Sequence, residues 1–301
     1  MPRFQSSQQH FLIDLTQITT GTITVKRLGG FGDILLCAIV GNTLSQWSGL
    51  PIDFITRSKF HEFLLHFSSI KRCTTLKTWK SNPYPILFDF EEVGDAGLGP
   101  TLKSRWNLFA DKMNVPFEPN SVRFTPLKSG LKLNQPFIGV VLKASSKHRT
   151  FSKMKSVAEK LRDVGQVAII NERAIKIPKH FIDLTGKSLC QVAKALEWCQ
   201  VLVTPDTGLL HLAMFLRVPS VAIFAGINPA FRIWRPELVS VIQRSELSCC
   251  PCHEFLTHSC PPNKFLQCLN TVSVNEVVEK VVEFLKKKGD IKKGKNKSSL
   301  D

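Results

Sequence analysis

The sequence predicts an α/β protein built from two doubly wound domains. Short β-branched or apolar runs alternate with segments of helical period along most of the 301 residues, which is typical of parallel sheets covered by helices. The alternation lapses once, between residues 114 and 136, where four prolines interrupt it. The length also suits two domains of about 150 residues each. We therefore place a domain boundary in this segment.

The first series of elements precedes that boundary. β-branched and apolar runs predict strands at 22–27, 51–57 and 85–90. Amphipathic segments between and after these strands predict helices at 34–47, 58–67 and 102–113. Because a helix follows each strand, the strands are expected to run parallel.

The second series follows the boundary. Strands are predicted at 137–144, 166–171, 201–204 and 220–224, and helices at 152–165, 188–199, 208–216 and 275–289. In the last helix, Ser273 and Glu276 have the spacing of a capping box, and Gly289 is a typical C-terminal stop.

These elements predict four segments along the chain. They are an N-terminal extension (1–20), a first domain (21–130), a second domain that includes a cysteine segment at 249–268 (131–285), and a basic disordered tail (286–301). Two such domains would face each other across a cleft lined by the loops that follow the strands.

The charge of the chain favours a partner that carries phosphate. Forty lysines and arginines against 24 acidic residues give a formal charge of +16, which suits nucleic acid, an anionic membrane surface or a phosphorylated small molecule. Part of the excess lies in the C-terminal tail, which is either solubilising or a docking device for anionic lipid or RNA. The N-terminus lacks a secretory pattern and no apolar run approaches 18 residues, so we expect a cytoplasmic protein.

A glycine-rich turn joins the first predicted strand to the first helix. It contains Gly29, Gly30 and Gly32, followed by Asp33. An aspartate at the start of a helix is an ordinary cap. A cap does not need three glycines, which indicate unusual dihedrals or close approach of another group. The pattern thus leaves open whether Asp33 caps the helix or takes part in chemistry.

A second turn, "TPDTGLLHLA", ends a strand at Thr204 and starts a helix. The unpaired N–H groups of a first helical turn bind phosphate, and Gly208 would let a ligand approach the backbone. Asp206 could accept sugar hydroxyls there. Ordinary capping by Asp206 and Thr207 explains the pattern equally well.

Charged residues follow two neighbouring strands. Lys147, His148 and Arg149 follow the strand at 137–144, where cations suit a diphosphate. Glu172 follows the next strand, where a carboxylate could hold the hydroxyls of a ribose. A solvated basic loop and a surface glutamate are the alternative interpretations.

Five cysteines lie within twenty residues. Cys249 and Cys252 form a C-x2-C pair, and Cys260 and Cys268 follow at equal intervals. Four thiolates can enclose a tetrahedral ion, with zinc the default and iron an alternative, in a structural role. Cys250 would be the spare residue. Buried thiols without metal explain the cluster equally well.

Taken together, these motifs resemble glycosyltransferase family nine, the ADP-heptose heptosyltransferases of lipopolysaccharide and autotransporter modification. The likeness rests on "GFGDILL", "IDLTGK", "DTGLLHLA" and the cysteine segment followed by "NEVVEKV", and it is strongest over residues 182–224. The resemblance implies a GT-B fold, with two Rossmann-like domains, the donor on the second domain and the acceptor on the first.

The resemblance also implies roles for single residues. Asp33 would be the general base, Lys147 would contact the donor diphosphate, and Glu172 would contact the ribose. The heptose and phosphates would be held by Asp206, Thr207 and Gly208. Arg149 and His211, beside these residues in the sequence, are further candidates for donor binding. The chain departs from the family pattern at "KHRTF" (147–151) and at "FAGINP" (224–229), where members often have F-G-P-T-D-P.

The expected function is inverting transfer of a heptose or a related sugar from a nucleotide-diphosphate donor to a hydroxyl of a lipopolysaccharide core or a protein, and the resemblance implies ADP-heptose as the donor. Cations and a helix N-terminus would stabilise the leaving diphosphate without a catalytic metal. The basic tail would touch the inner face of the inner membrane, and no nucleic acid is expected. Two alternatives stay open: a catalytically silent sugar-nucleotide binding protein, and a basic nucleic-acid-binding protein with a zinc knuckle.

Overall fold

The computed structural model describes most of the chain between residues 21 and 295. The described residues are 21–79, 86–91, 93, 103–125, 127, 130–131, 133, 135–252, 260 and 265–295, without the side chains of 288–295. The expected N-terminal extension (1–20) therefore lies outside the described residues, as do residues 253–259, 261–264 and 296–301.

The first sheet has four parallel strands in the order β3-β2-β1-β4. These strands are β1 (Ile23–Lys26), β2 (Ile52–Ile55), β3 (Ile70–Thr74) and β4 (Ile86–Asp89). Its helices are α1 (Phe31–Ser48), α2 (His61–Leu64) and α3 (Arg105–Met113). Helix α1 is buried on almost every side from Gly32 to Leu44, and it ends at Gly49, which has the left-handed conformation of a helix C-cap.

The second sheet has six parallel strands in the order β10-β9-β8-β5-β6-β7. These strands are β5 (Phe137–Val141), β6 (Val167–Asn171), β7 (Ile182–Thr185), β8 (Cys199–Pro205), β9 (Ser220–Ile223) and β10 (Val239–Ile242). The remaining helices are α4 (Met154–Leu161), α5 (Leu189–Leu196), α6 (Gly208–Phe215), α7 (Gln267–Asn270) and α8 (Val274–Lys295). Read from β7 to β10, the order is the doubly wound 3-2-1-4-5-6 arrangement.

The order of the strands reverses direction once in each sheet. The candidate site lies where this reversal occurs. The reversal lies between β1 and β4 in the first sheet and between β5 and β8 in the second. Ligands of open α/β sheets bind beyond the carboxyl ends of the strands at such points. The segments there contain Asp33 in the first turn of α1 after β1, Glu91 after β4, Arg149 after β5 and Asp206 after β8.

The predicted helix at 275–289 is correct in its start but wrong in its end. Ser273 Oγ accepts a hydrogen bond of 3.0 Å from Glu276 N–H, as the capping pattern predicts. The helix continues through Gly289 to Lys295, so residues 286–295 are helical and are not part of a disordered tail. A single glycine costs only about 1 kcal/mol in a helix, and the neighbouring lysines are good helix formers.

Apolar side chains on the inner faces of both sheets build the core. Val272, Val277 and Val281, at the start of α8 and before it, are buried with the residues of the second sheet. No helix in the described part of the chain combines the length and the hydrophobicity needed to cross a bilayer.

Candidate active site

The first turns of α1 and α6 pack against each other across the two halves of the molecule. A Cβ built on Gly32 would lie 2.6 Å from Cδ2 of His211 and 3.4 Å from Cα of Gly208. A Cβ on Gly208 would lie 2.9 Å from N of Gly32. Side chains at these two positions would force the helices apart. We call the region around this contact, where the two halves meet, the seam.

The other two glycines of the turn differ from Gly32 and from each other. A Cβ on Gly29 would lie 2.9 Å from Nε of Arg27, so the glycine leaves space for that guanidinium. Gly30 has open space around it and an ordinary φ of −69°. Close approach therefore explains two of the three glycines, and the structure gives no such reason for Gly30.

Asp33 does not cap α1. The N-cap residue is Gly30, and Asp33 is the third residue of the helix, without a capping hydrogen bond from its side chain. Its carboxylate instead accepts a hydrogen bond from Nη2 of Arg27 at 2.6 Å and lies 3.5 Å from Nε of Arg105. Burial raises the pKa of Asp33, but Arg105 and Arg27 outweigh it and hold the pKa below its usual range. The group is therefore ionised at neutral pH.

Arg27 is held in place by the loop that follows β4. The residue is 6% exposed, and its Nη1 donates to the carbonyl oxygens of Phe90 and, at 3.2 Å, of Glu91. Glu91 in turn accepts a hydrogen bond from Leu28 N–H. The two strands at the reversal of the first sheet thus fix the cation that contacts Asp33.

Asp206 lies on the second side of the seam, in the turn before α6. Its residue is 4% exposed, and Nη1 of Arg149 lies 3.2 Å from its carbonyl oxygen and 3.4 Å from Oδ2. Thr207 is the N-cap of α6 without a capping bond from its side chain, and its Oγ1 is 3.2 Å from Oγ1 of Thr204. The β5 and β8 loops therefore meet at the seam.

His211 and Arg232 complete this group. Burial lowers the pKa of His211 to about 4, so the imidazole is neutral at physiological pH. Arg232 follows a 3₁₀ turn at Pro229–Phe231, and burial together with the nearby Arg105 lowers the pKa of Arg232. Both residues are also close enough to Asp33 and Asp206 for those charges to affect their pKa values.

Two predicted donor residues lie apart from this group. Lys147 is exposed, with Nζ 5.6 Å from the centre of the Phe265 ring. Glu172 has a side chain that is 77% exposed and accepts a hydrogen bond of 2.7 Å from Nζ of Lys59, in the loop after β2. The structure thus gathers Asp33, Asp206, Gly208, His211 and Arg149 but leaves these two at the margin.

Three arginines of the group were missed by sequence reasoning. Arg27 precedes the glycine turn, Arg105 is the first residue of α3, and Arg232 lies near "FAGINP". Each is a single charged residue at the edge of an element, and a chain with 40 lysines and arginines contains many of these. Only the position of Arg27 directly after a strand of the first domain gave a usable signal.

The cysteine segment packs beside the loop after β9. Cys250 Sγ lies 3.1 Å from the carbonyl oxygen of Ala225, and a Cβ on Gly226 would lie 2.4 Å from Sγ of Cys252. A hydrogen bond from Cys250 lowers the pKa of Cys268 to about 7. Burial, together with the nearby Cys260 and Cys268, raises the pKa of Cys252. Cys250, predicted to be the spare, thus contacts a predicted ligand.

Among the described residues, the sulfur atoms of the cysteine segment lie near one another, but they are not arranged around a common point as metal ligands are. Within the described residues, no three histidine, cysteine or carboxylate side chains are placed to hold one ion. A set of neighbouring thiols nevertheless fits zinc or iron in its donor chemistry.

Comparison with known proteins supports the family resemblance. The sequence model of glycosyltransferase family 9 (heptosyltransferase) matches residues 63–258. Lipooligosaccharide heptosyltransferase 2 of Campylobacter jejuni is 28% identical over 153 residues, which cover 50% of this chain and 45% of that protein. The chain therefore matches less than half of that relative's length. The family match begins after the glycine turn and does not include Asp33.

Solved structures share the fold. The iron-containing dodecameric glycosyltransferase TibC of enterotoxigenic E. coli has a TM-score of 0.71 at 15% identity, covering 88% of this chain and 76% of TibC. ADP-heptose lps heptosyltransferase II of E. coli has a TM-score of 0.63 at 15% identity, covering 89% and 100%. The predicted GT-B fold is confirmed. With the family model covering about two thirds of its residues, this chain belongs to glycosyltransferase family 9, the heptosyltransferases.

Proposed function

We propose that this protein transfers a heptose from ADP-heptose to a hydroxyl of a lipopolysaccharide core or a protein, with inversion at the anomeric carbon. Family membership supports heptosyl transfer, and TibC, which has a TM-score of 0.72 to this chain, has been solved with ADP-D-β-D-heptose. The observation that carries the proposal is the ionised Asp33 at the seam, held by Arg27 and Arg105.

Asp33 is suited to accept the proton of the acceptor hydroxyl. Its Oδ2 is occupied by Arg27 at 2.6 Å. Among the described residues, its Oδ1 has one polar contact, at 3.5 Å with Nε of Arg105, which is longer than a normal hydrogen bond. Oδ1 is therefore the atom that can receive a hydroxyl proton, while Arg27 fixes the orientation of the carboxylate.

The donor would bind the second half of the molecule. Arg149 and the first turn of α6, with Asp206, Thr207, Gly208 and His211, lie directly across the seam from Asp33. Lys147 reaches the diphosphate, and Glu172 binds the ribose after it leaves Lys59. Gly208 packs against Gly32 in this structure and leaves little space beside the N-terminus of α6. Donor binding would therefore be accompanied by movement of the groups around it, including Lys147 and Glu172.

The domain division is also proposed. The strands of the first sheet lie within 21–130, and those of the second lie within 131–285. The acceptor would bind the first half and the donor the second. Chemistry would need no metal, because guanidinium groups and the α6 N-terminus neutralise the leaving diphosphate.

The cysteine segment is proposed to bind one structural zinc or iron ion. TibC, which shares the fold, is described as iron-containing. The ligands would come from Cys249, Cys252, Cys260 and Cys268. Cys250, whose thiol is hydrogen-bonded to Cys268, would be the replacement for Cys249. The ion would stabilise the segment beside the β9 loop.

Cytoplasmic location, contact of the basic C-terminus with an anionic membrane, and the absence of a nucleic-acid partner remain predictions.

Incubation with ADP-heptose and a heptose-deficient lipopolysaccharide core, or with an autotransporter passenger protein, tests the proposal. Mass spectrometry should show an acceptor that has gained one heptose and ADP in equal amount, and NMR should show an inverted anomeric centre. If the protein binds ADP-heptose without releasing ADP on any acceptor, it is the silent binding protein. Salt-sensitive RNA retention by a chain lacking 286–301, without sugar-nucleotide binding, would favour the nucleic-acid alternative.

A further inference from the structure

Helix α6 contacts the first half of the molecule at both of its ends. At its start, a Cβ built on Gly208 would lie 2.9 Å from N of Gly32 and 3.0 Å from Cβ of Phe31, in the first turn of α1. At its end, the ring of Phe215 stacks on that of Phe67, with 5.6 Å between the ring centres. Gly208 and Phe215 are the first and last residues of the helix, about 10 Å apart along its axis. Helix α6 follows β8 in the chain, but its packing on α1 attaches it to the first half.

Two further ring contacts connect Phe215 to the start of α1. The ring of Phe67 meets that of Phe63 edge to face, with 6.2 Å between the ring centres. Phe63 in turn meets Phe31 edge to face at 5.3 Å. Both middle rings, those of Phe63 and Phe67, are completely buried. The rings of Phe31, Phe63, Phe67 and Phe215, which we call the aromatic row, therefore join the end of α6 to the turn of α1 that carries Asp33.

The segment that connects the two sheets holds the end of α6 from a second side. The ring of Phe124 meets those of Phe215 and Phe67 edge to face, with ring centres 5.4 Å and 5.2 Å apart. Just beyond the helix, Nη2 of Arg217 donates a hydrogen bond of 2.9 Å to Oδ1 of Asn120. Phe215 is therefore packed between two parts of the chain that both precede the second sheet.

These contacts form a closed circuit. It runs along α6 from Gly208 to Phe215, through the aromatic row to Phe31, and from Phe31 back to Gly208. Packed side chains in a protein interior transmit a displacement, because there are few voids to absorb it. The whole circuit therefore holds the first turn of α6 in its position relative to Asp33.

We propose that Phe215 is a positioning residue of the transfer reaction, which keeps the donor-binding turn of α6 aligned with Asp33 through the aromatic row. This inference rests on the proposed transferase function and adds to it a residue that acts from the far end of the helix. A displacement of about 1 Å between reacting groups can cost about 10²-fold in rate. The donor-binding residues Asp206, Thr207 and Gly208 would move together with α6, so the affinity for the donor should change little. Phe215 therefore acts on kcat.

Variants of the full chain test the proposal. Phe215→Leu removes the stacked ring, and Phe215→Tyr keeps it. Phe124→Leu loosens the same ring from its other side and serves if Phe215→Leu does not fold. Phe181→Leu is the matched control, because Phe181 is buried in the core of the second sheet and its ring contact is with the neighbouring His180.

Four measurements are made on each variant. They are kcat for heptosyl transfer at saturating donor and acceptor, the Kd of ADP by calorimetry, hydrogen exchange of the amides in α1 and α6, and thermal unfolding.

We expect Phe215→Leu to lower kcat by about tenfold to a hundredfold, while the Kd of ADP changes by less than about threefold. Phe124→Leu should change kcat in the same direction, and Phe215→Tyr should keep near-native kcat. Exchange of the amides in the first turns of α1 and α6 should become faster in Phe215→Leu. Phe181→Leu should lose thermal stability but keep near-native kcat and exchange in these turns.

Near-native kcat in a folded Phe215→Leu protein overturns the positioning role and leaves the transferase function intact. An equal loss of kcat in Phe181→Leu also overturns it, because the effect would then follow stability alone. If the wild type transfers no heptose, the proposed function fails, and hydrogen exchange decides whether Phe215 holds α6 against α1. Unchanged exchange in Phe215→Leu would show that it does not.

Discussion

Nη2 of Arg27 lies 2.6 Å from Oδ2 of Asp33, six residues along the chain and on the other side of the glycine turn. The contact joins the end of β1 to the first turn of α1. It explains Gly29, whose hydrogen leaves room for the guanidinium. It also gives the Asp33 carboxylate a partner other than the backbone N–H groups that a capping side chain would accept from.

The first prediction concerns the pKa of Asp33. Arg27→Met removes an opposite charge and a hydrogen-bond donor, so the pKa of Asp33 should rise. In the wild type the acid limb of kcat/KM should lie at lower pH than for an ordinary aspartate, because Arg105 and Arg27 lower the pKa of Asp33. In Arg27→Met the limb should move to higher pH, and Arg27→Lys should largely restore it. Lys26→Met, which breaks the ion pair with Asp89, is the control. Superimposable profiles would refute the role of Arg27.

The second prediction separates the glycines. Gly32→Ser places atoms within 2.6 Å of His211, and the resulting overpacking should lower the free energy of unfolding by about 1–3 kcal/mol. Gly30→Ser enters open space at an N-cap position that serine favours, so the effect should be below about 0.5 kcal/mol. Denaturant unfolding measures both. Equal effects would mean that the seam does not form as described.

The third prediction concerns His211 and pH. Its pKa of about 4 in the folded protein lies below the ordinary value of about 6.5. Between these two pH values the unfolded chain binds a proton that the folded protein does not. The stability contributed by this group is therefore complete above pH 6.5 and is lost as the pH falls toward 4, by at most about 3 kcal/mol.

Unfolding experiments at pH 7 and pH 4.5 measure this dependence. His211→Gln should show a smaller loss of stability between the two pH values than the wild type. His180→Gln, at an exposed histidine, should behave as the wild type. Identical pH dependence of His211→Gln and wild type would show that His211 is not buried in the neutral form.

The fourth prediction concerns the cysteine segment. Protein purified without chelators and under reducing conditions should contain about one equivalent of zinc or iron. Cys252→Ser and Cys268→Ser should lose most of it, whereas Cys73→Ser, at a thiol on β3, should not. Elemental analysis measures the content. If the wild-type protein contained no metal, the metal site would be refuted and the cysteines would be buried thiols without metal.

The sequence predicted the inner strands of both sheets but not most of their edges. β3, β7 and β10 were missed, and each is an edge strand. β3 has two exposed charged residues in succession, so it shows neither the buried run nor the alternation by which strands are recognised. Inner strands such as β5 are buried throughout and are easy to find.

The candidate site was predicted where the residues stand at strand ends, and missed where folding brings distant residues together. Asp33 and Asp206 follow β1 and β8, so the position of each was readable. The contact of Gly32 with Gly208 and the approach of Arg105 and Arg232 depend on how the two halves pack. No local pattern in the sequence specifies that packing.

The most direct test of the account compares Asp33→Asn with Asp53→Asn in the heptosyl transfer assay. Asp53 on β2 is also paired with an arginine, Arg72, but lies outside the site. Asp33→Asn should lose about 10²–10⁴-fold in turnover, because the amide cannot accept the acceptor's proton, and it should still bind ADP. Asp53→Asn should retain near-native turnover. Near-native transfer by a folded Asp33→Asn protein would contradict the assignment of Asp33 as the general base.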